Sequence, residues 1–326
     1  MSKLLPAITA AALALGTSIT PAAAQPAGTP ATTTEIGYVE IDRNISLRRM
    51  VVQGSDPKGV VLLLHGFPET LHAWRGVTDE LGGEYEVHAF DWPGFGLSSR
   101  PSAATFGYSP HDYARVLRQY IGKAGIDRSR LTIYATDIAA LPALLAALDE
   151  PDIARTIIVG DFAPFDRPHF MQERLQALKS PETGEQVRAQ LNATRDEIIE
   201  NAWRRGFKPE EQFEISAAFK ADMTTAWNHG NLTTADAFAR YYAQFTRDQN
   251  YFEANLGKLK TPVKIIWGER DIYIDKAMGV EFAARTDSKI SILPGIGHYP
   301  HLQDPRQTAA DIRSAHTVAD STQGIR

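Results

Sequence analysis

A single carboxylate interrupts the apolar run at residues 131–140, which reads LTIYATDIAA. The β-branched and aromatic residues before Asp137, the small residues around it and the leucines after it predict a strand, a sharp turn and a helix. This is the pattern of a strand-to-helix elbow that holds a nucleophile above a parallel sheet, where the usual sequence is G-x-S-x-G. Here alanines replace the glycines and an aspartate replaces the serine. The alternative is that Asp137 only caps the helix, which aspartate does well.

Three further strand ends carry residues that could work with this carboxylate. Backbone N–H groups of Phe67 and Ile138 could form an oxyanion hole, and His298 on a glycine-rich loop could act as the base. Along the chain the candidate nucleophile comes first, the acid second and the histidine last, which is the order found in one known class of catalytic triad. The loops that follow the three strands read HGFP at 65–68, GERD at 268–271 and GIGH at 295–298.

The acid that orients His298 has two possible positions. Asp271 follows the penultimate predicted strand and is favoured. Asp161 lies 24 residues after Asp137 (161 − 137) and follows the preceding strand, which leaves it as the alternative acid.

The elements between these residues alternate between strand and helix, which predicts an α/β protein with a mostly parallel sheet and a site at the carboxyl ends of the strands. We assign 35–160 and 256–326 to one core and 161–255, which lacks an aliphatic strand, to an inserted helical cap. A hairpin over 35–41 and 46–52 is expected at the sheet edge. Predicted strands are 59–64, 86–90, 131–136, 155–160, 263–267 and 289–293, and predicted cap helices are 168–179, 185–205, 209–227 and 234–245.

The N-terminus has the composition of an export signal. Residues 1–24 combine Lys3, a short apolar stretch and an Ala-Ala-Ala end, which predicts a cleaved signal peptide. Residues 25–34 are rich in Pro, Ala and Thr and are expected to form a disordered leader. We therefore expect a secreted or periplasmic protein, and the absence of cysteine excludes disulfides and cysteine-linked lipids.

Overall composition limits the partners. The 326 residues carry a net charge of −5 without a basic run, which argues against nucleic acid and anionic membranes and favours a small neutral substrate. The predicted chemistry calls for neither a cofactor nor a metal. The oligomeric state stays open.

Together these motifs resemble the α/β-hydrolase superfamily, whose fold has an eight-stranded, mostly parallel sheet with an inserted helical lid. HGFP at 65–68 with an aspartate at the elbow is similar to the branch of epoxide hydrolases and dehalogenases, and the Asp-Ile pair with the export signal resembles secreted bacterial epoxide hydrolases. The resemblance implies Asp137 as nucleophile, His298 as base and Phe67 and Ile138 as oxyanion donors. It also implies that His65, Gly66 and Pro68 belong to the substrate pocket.

An aspartate nucleophile narrows the substrate. A carboxylate gains little by attacking an ester, but it displaces a leaving group from an sp³ carbon and leaves an ester that water can hydrolyse. An epoxide or an alkyl halide therefore fits. Ile138 and Phe67 stand where haloalkane dehalogenases carry their Trp and Asn halide donors, which favours the epoxide.

The resemblance also implies a cap tyrosine that protonates the opened epoxide. Tyr242 is the first choice and Tyr241 the second, and if they share a helix at least one of them is expected to face away from the site. A second donor has no clear match among His169, His229 and Tyr251. Besides the epoxide hydrolase, a dehalogenase and a non-catalytic ligand-binding protein stay open, whereas an esterase is disfavoured because no serine occupies the elbow.

Overall fold

The computed structural model describes residues 32–323, with side chains up to residue 316, and these residues form one eight-stranded sheet. The strand order is β1-β2-β4-β3-β5-β6-β7-β8, and every pair from β4 to β8 is parallel. The predicted mostly parallel sheet is confirmed. The strands are β1 Thr33–Asp42, β2 Ile45–Gln53, β3 Val60–Leu64, β4 Glu86–Phe90, β5 Leu131–Thr136, β6 Thr156–Gly160, β7 Val263–Gly268 and β8 Lys289–Leu293.

The hydrophobic pattern explains where each strand lies. All five residues of β3 are buried, as a central strand covered on both faces requires, and β3 pairs in parallel with β4 and β5. β1 and β2 alternate in exposure and form the antiparallel hairpin at the edge, as predicted. The carboxyl ends of β3, β5, β6, β7 and β8 therefore meet along one edge of the sheet.

Helices cover both faces of the sheet. On one face α1 and α12 pack through Val77 and Ile312, next to Trp74 in the turn before α1, and on the other α2, α3 and α10 bury a larger apolar cluster. Ser109 and Asp112 form a capping box at the start of α2. The core helices are α1 Arg75–Leu81, α2 Pro110–Lys123, α3 Ala140–Asp149, α10 Lys276–Thr286, α11 Pro300–Gln303 and α12 Pro305–Gln323.

Helices α4 to α9 lie between β6 and β7, where a helical insertion was predicted. They are shorter than predicted, because polar residues interrupt the longer apolar patterns. Thr194 separates two helices within the predicted 185–205 segment, and α7 begins only after Ser216, whose side chain caps its first turn. The bounds are α4 Glu173–Lys179, α5 Pro181–Ala193, α6 Arg195–Asn201, α7 Ala217–Trp227, α8 Thr234–Ala243 and α9 Phe245–Ala254.

A buried arginine ties this insertion to the sheet. Arg48 on β2 donates through Nε to Asp91, which follows β4, at 2.5 Å, and through its two terminal nitrogens to Asp222 on α7 at 2.7 Å each. The two carboxylates balance the charge of the buried guanidinium, so the contact holds α7 over the strand ends.

The predicted signal peptide and residues 25–31 of the predicted leader lie outside the described residues. Thr33 and Thr34, which we had placed in the leader, belong to β1, where Thr33 pairs with Gln53. None of the helices within the described part of the chain is long and apolar enough to cross a membrane.

Candidate active site

Asp137 stands at the turn between β5 and α3. Its φ of +52° lies in the left-handed region, and a 3₁₀ turn over Asp137–Ala139 leads into α3. A non-glycine residue in this region costs free energy and persists where the surroundings hold it, often at functional sites. The turn thus presents the carboxylate at the sheet edge, as the sequence predicted for an elbow.

The loop after β3 must come very close to this carboxylate. A Cβ on Gly66 would lie 2.5 Å from Asp137 Oδ2, so only glycine fits there. The next residue, Phe67, donates its backbone N–H to the same oxygen at 2.7 Å. The Phe67 N–H therefore lies where the predicted oxyanion donor was expected. Ile138 is buried beside Asp137, and the described contacts include no hydrogen bond from its N–H to that carboxylate.

His298 and Asp271 come together from the ends of β8 and β7. His298 Nδ1 lies 2.8 Å from Asp271 Oδ2, and His298 Nε2 lies 3.8 Å from Asp137 Oδ1. The other oxygen of Asp271 accepts the N–H groups of Tyr273 at 2.8 Å and Ile274 at 3.1 Å. Asp271 is thus held as an acceptor, so Nδ1 carries the proton and Nε2 faces Asp137.

Electrostatics favour the charged form of this histidine. Burial alone would lower the pKa of His298, but the negative charges of Asp271 and Asp137 and the hydrogen bonds to them raise it well above its ordinary value. The two neighbouring carboxylates therefore favour the protonated form of His298, and loss of the Asp137 charge would lower its pKa.

Asp161 lies behind this pair. It is fully buried, has a φ of +52°, and accepts the N–H of Gly268 at 2.8 Å. Burial raises the pKa of Asp161 well above its ordinary value, and the neighbouring Asp271 charge raises it further. Atoms of Asp161, Asp271 and His298 that could bind a metal lie within 4.8 Å of one another. Within this group, His298 Nδ1 and Asp271 Oδ2 form a hydrogen bond with each other.

This geometry predicts different costs for the two acids. Asp271→Asn should lower kcat by about 10²- to 10⁴-fold, because the amide no longer holds Nδ1 protonated and Nε2 directed at the nucleophile. Asp161→Asn should cost less than tenfold, because burial already disfavours the charged form of Asp161 and its carboxylate does not bond His298. Steady-state measurement of kcat for both variants checks this, with their melting temperatures as the control for folding. Equal small losses of kcat would contradict the assignment of Asp271.

The rest of the 65–68 loop differs from the prediction, because only Phe67 lines a cavity beside Asp137. The side chain of His65 is fully buried and packs edge-on against Phe95, and Pro68 is buried after a cis Phe67–Pro68 peptide. Gly66 has no side chain and serves the close approach described above. Burial explains this, since Phe67 is the one residue of the 65–68 loop that is not fully buried.

Two cavities adjoin Asp137. The larger has about 520 Å³ of empty space, counting its opening to solvent, and the smaller about 190 Å³. The larger is lined by Phe67, Asp137, Arg174, Leu175, Leu178, Leu191, Ile198, Ala202, Arg205, Phe238, Tyr273, His298 and Tyr299. The smaller is lined by Asp137, Ile138, Phe162, Ala163, Tyr241, Tyr242, Phe245 and Ile274.

Tyr241 and Tyr242 share α8, yet both are buried and both line the smaller cavity next to Asp137. The expectation that one of them faces away is therefore not met. Tyr241 Oη has no hydrogen-bond partner among the described residues. Burial raises the pKa of both hydroxyls well above 10, and the Asp137 charge adds to this, so both keep their protons. His169, His229 and Tyr251 are exposed and line neither cavity.

Known proteins show which family the chain belongs to. A family model described as the alpha/beta hydrolase fold matches residues 59–305. The protein belongs to the α/β-hydrolase family. Epoxide hydrolase 3 of Xenopus tropicalis is 25% identical to this hydrolase over 299 residues, covering 85% of this chain and 76% of its own length. Haloalkane dehalogenase 2 of Mycobacterium tuberculosis is 24% identical over 267 residues, with coverages of 80% and 88%.

Solved structures agree on the fold. A loop variant of the haloalkane dehalogenase DbeA from Bradyrhizobium elkanii superposes with a TM-score of 0.71 at 16% identity, covering 90% of this hydrolase and 99% of that chain. At this identity the likeness concerns the fold alone.

Sequence reasoning missed several residues that build the site of this hydrolase. Tyr299 donates its hydroxyl to the Phe67 carbonyl at 3.1 Å, and buried Glu69 accepts the Gly66 N–H at 2.9 Å while bonding His301 at 2.7 Å. Burial alone would raise the pKa of Glu69, but His301 and these hydrogen bonds hold it below its usual value. In the sequence, the only indication of these roles is that Tyr299 and His301 lie next to His298 and that Glu69 follows the 65–68 loop.

Proposed function

We propose that this hydrolase opens epoxides to vicinal diols through an ester on Asp137. The observation that carries the proposal is the carboxylate at the elbow, held by the Phe67 N–H on one oxygen and facing His298 Nε2 with the other. A carboxylate in this position suits displacement at an sp³ carbon, and it gains little from an ester carbonyl.

In the first step, Asp137 Oδ1 forms a bond to one epoxide carbon while the bond between that carbon and the epoxide oxygen breaks. The oxygen leaves as an alkoxide and takes a proton from a tyrosine hydroxyl. Tyr242 and Tyr241 both lie beside Asp137 in the smaller cavity, which supports a donor there. Because both tyrosines line this cavity, Tyr241 can serve as a second donor, for which His169, His229 and Tyr251 gave no clear match.

In the second step, water gives a proton to His298 Nε2 and its oxygen adds to Cγ of Asp137. The negative charge that develops on Oδ2 is stabilised by the Phe67 N–H at 2.7 Å. The intermediate then releases the diol oxygen, which takes up the proton held by His298. The carboxylic acid left on Asp137 gives its proton back to the tyrosinate formed in the first step, so the carboxylate and the tyrosine hydroxyl are both restored. The loss of the Asp137 charge during the first step lowers the pKa of His298, which favours the neutral imidazole that accepts a proton from water.

A single turnover in water enriched in heavy oxygen tests this mechanism. Water attacks the ester at Cγ, so the label should enter the Asp137 carboxylate, and peptide mass analysis would find it there. Label confined to the diol, with none in the peptide that contains Asp137, would show direct attack of water on the epoxide and would overturn the proposal.

The tyrosines make a separate prediction. Tyr242→Phe should lower kcat for epoxides by about 10²-fold, the contribution of one general acid, while ester hydrolysis stays fast. Tyr241→Phe should have a smaller effect, and the double variant the largest. Pre-steady-state kinetics separate the two steps, and unchanged ring opening in the Tyr241→Phe/Tyr242→Phe double variant would contradict the assignment.

A dehalogenase is the second candidate, since a halide can leave from the same carbon. A fluoroacetate dehalogenase of a Burkholderia species is 37% identical over 116 residues, which cover 35% of this chain. Halides need N–H donors, and among the described residues neither cavity is lined by a Trp or Asn side chain. Chloride or bromide release from a panel of alkyl halides, faster than diol formation from matched epoxides, would favour the dehalogenase.

We also propose that the protein is exported, from the character of residues 1–24 alone. The full chain produced in a bacterium should be recovered outside the cytoplasm with Gln25 as its first residue. N-terminal sequencing of each cell fraction measures this, and an uncleaved cytoplasmic chain would contradict it.

A further inference from the structure

The larger cavity has an apolar wall on its cap side. Helices α4, α5 and α6 contribute aliphatic side chains, and the residue after α6 continues this face. Such a wall suits a hydrocarbon chain, because it offers no polar groups to a polar substrate. The aliphatic residues of this wall are Leu175, Leu178, Leu191, Ile198 and Ala202.

Two arginines break this apolar wall. Arg174 precedes Leu175 on α4, is partly buried, and has no ion pair or hydrogen bond among the described residues. Arg205 lies just after α6 with its side chain 29% exposed, and it pairs with Glu197, whose side chain is 47% exposed. The side chains of Arg174 and Arg205 thus line the cap side of the larger cavity, which Asp137 also lines.

Both positive charges act on the interior of the site. Tyr273 lines the same cavity, and its ring centroid lies 4.9 Å from that of His298. Burial raises the pKa of the Tyr273 hydroxyl, and the charges of His298, Arg205 and Arg174 oppose that rise. The two arginines therefore lie close enough to influence a group that contacts the catalytic histidine.

We propose that Arg174 and Arg205 bind a carboxylate of the substrate, so that this hydrolase acts on epoxides whose hydrocarbon chain also carries a carboxylate. This rests on the proposed function of Asp137. A guanidinium pairs with a carboxylate through two parallel hydrogen bonds, a geometry that lysine does not offer. Asp137 repels the anionic end while the arginines attract it, so the charges direct the epoxide end toward the nucleophile.

A carboxylate-bearing substrate differs from the small neutral substrate expected from the composition. A net charge of −5 favours a neutral ligand when it is averaged over the surface, whereas substrate meets only the charges that line the cavity. The competing explanation is that both arginines cover apolar surface with their stems and keep their charged ends in water. In that case they would not distinguish an acid from an amide.

The test compares terminal epoxides of increasing alkyl length, each as the free acid and as the matching primary amide. We expect wild-type kcat/KM for the best acid to exceed that for its amide by about tenfold or more, the usual effect of a charge-assisted hydrogen bond. Arg174→Gln and Arg205→Gln should each lower the value for the acid and leave the amide unchanged, and the double variant should treat both alike.

Two control variants make the result specific. Arg195→Gln removes an arginine on α6 of similar exposure, 31%, which pairs with Asp196 away from the cavity, and it should leave the acid preference unchanged. Glu197→Gln frees Arg205 from its partner and should keep or strengthen that preference. Circular dichroism melting of every variant separates a loss of folding from a loss of recognition.

The outcomes separate the two proposals. Equal kcat/KM for acid and amide in the wild type, or equal losses for both in the arginine variants, would overturn the anion site while Asp137 chemistry stands. Absence of label at Asp137 with every epoxide would overturn the epoxide mechanism. Calorimetry with a plain alkyl carboxylate and its amide then reports on the arginines without turnover. Tighter binding of the carboxylate, lost in the double variant, would support them, and equal binding would count against them.

Discussion

Asp137→Asn is expected to lower turnover of any epoxide by a factor on the order of 10⁴ to 10⁶, the range typical for loss of a covalent nucleophile. The amide keeps the size of the side chain and can still accept the Phe67 N–H, which the carboxylate accepts at 2.7 Å. The fold should therefore survive while the bond-forming oxygen is lost. Turnover and melting temperature of the same preparation measure both effects.

The same variant has a second readout that does not depend on a substrate. The Asp137 charge is one of the influences that raise the pKa of His298, so its removal should lower that pKa. NMR titration of His298 in both proteins measures the change. An unchanged or higher pKa in Asp137→Asn would contradict the electrostatic account of how the histidine changes from acid to base, and retained turnover would contradict the assignment of the nucleophile.

His298→Gln is expected to stop the reaction after its first step. Asp137 still attacks the epoxide, because attack needs the carboxylate and a proton donor, but no base remains to activate water. Steady-state turnover should fall by about 10⁴-fold or more, as for loss of a triad histidine. The protein should accumulate an adduct whose mass equals that of the epoxide, located by peptide mapping at Asp137.

A matched control separates the adduct from nonspecific alkylation. The double variant Asp137→Asn/His298→Gln should stay unmodified under the same conditions, since it retains every other carboxylate of the protein. An unmodified His298→Gln protein after exposure to several epoxides and alkyl halides would count heavily against covalent catalysis. It would favour the remaining alternative, a ligand-binding protein without turnover.

Asp161 and Asp271 lie close together but have different surroundings. Asp271 accepts two backbone N–H groups and a hydrogen bond from His298. Asp161 has one such donor, the N–H of Gly268, and is fully buried, and burial raises its pKa well above its ordinary value. The sequence could place both acids at strand ends, but the hydrogen bonds that each one makes depend on contacts in the fold.

The sequence by itself determined the parallel sheet, its edge hairpin and the strand ends that carry Phe67, Asp137, Asp271 and His298. These follow from local patterns, since a buried parallel strand is a continuous aliphatic run and parallel strands bring their carboxyl ends to one edge. The cap was predicted as helical for the same reason, although its helices proved shorter.

Only the tertiary structure decided which side chains surround Asp137. Helix faces in the cap depend on packing against the core, so no local pattern could bring Arg174 and Arg205 into the cavity that Asp137 lines, place both Tyr241 and Tyr242 beside Asp137, or turn His65 away from the cavity. The acid beside His298 was likewise decided by distance, 2.8 Å from Asp271, because two strand ends with the same residue type look alike in sequence. Periodicity determines elements, whereas a site depends on contacts between residues far apart in the chain.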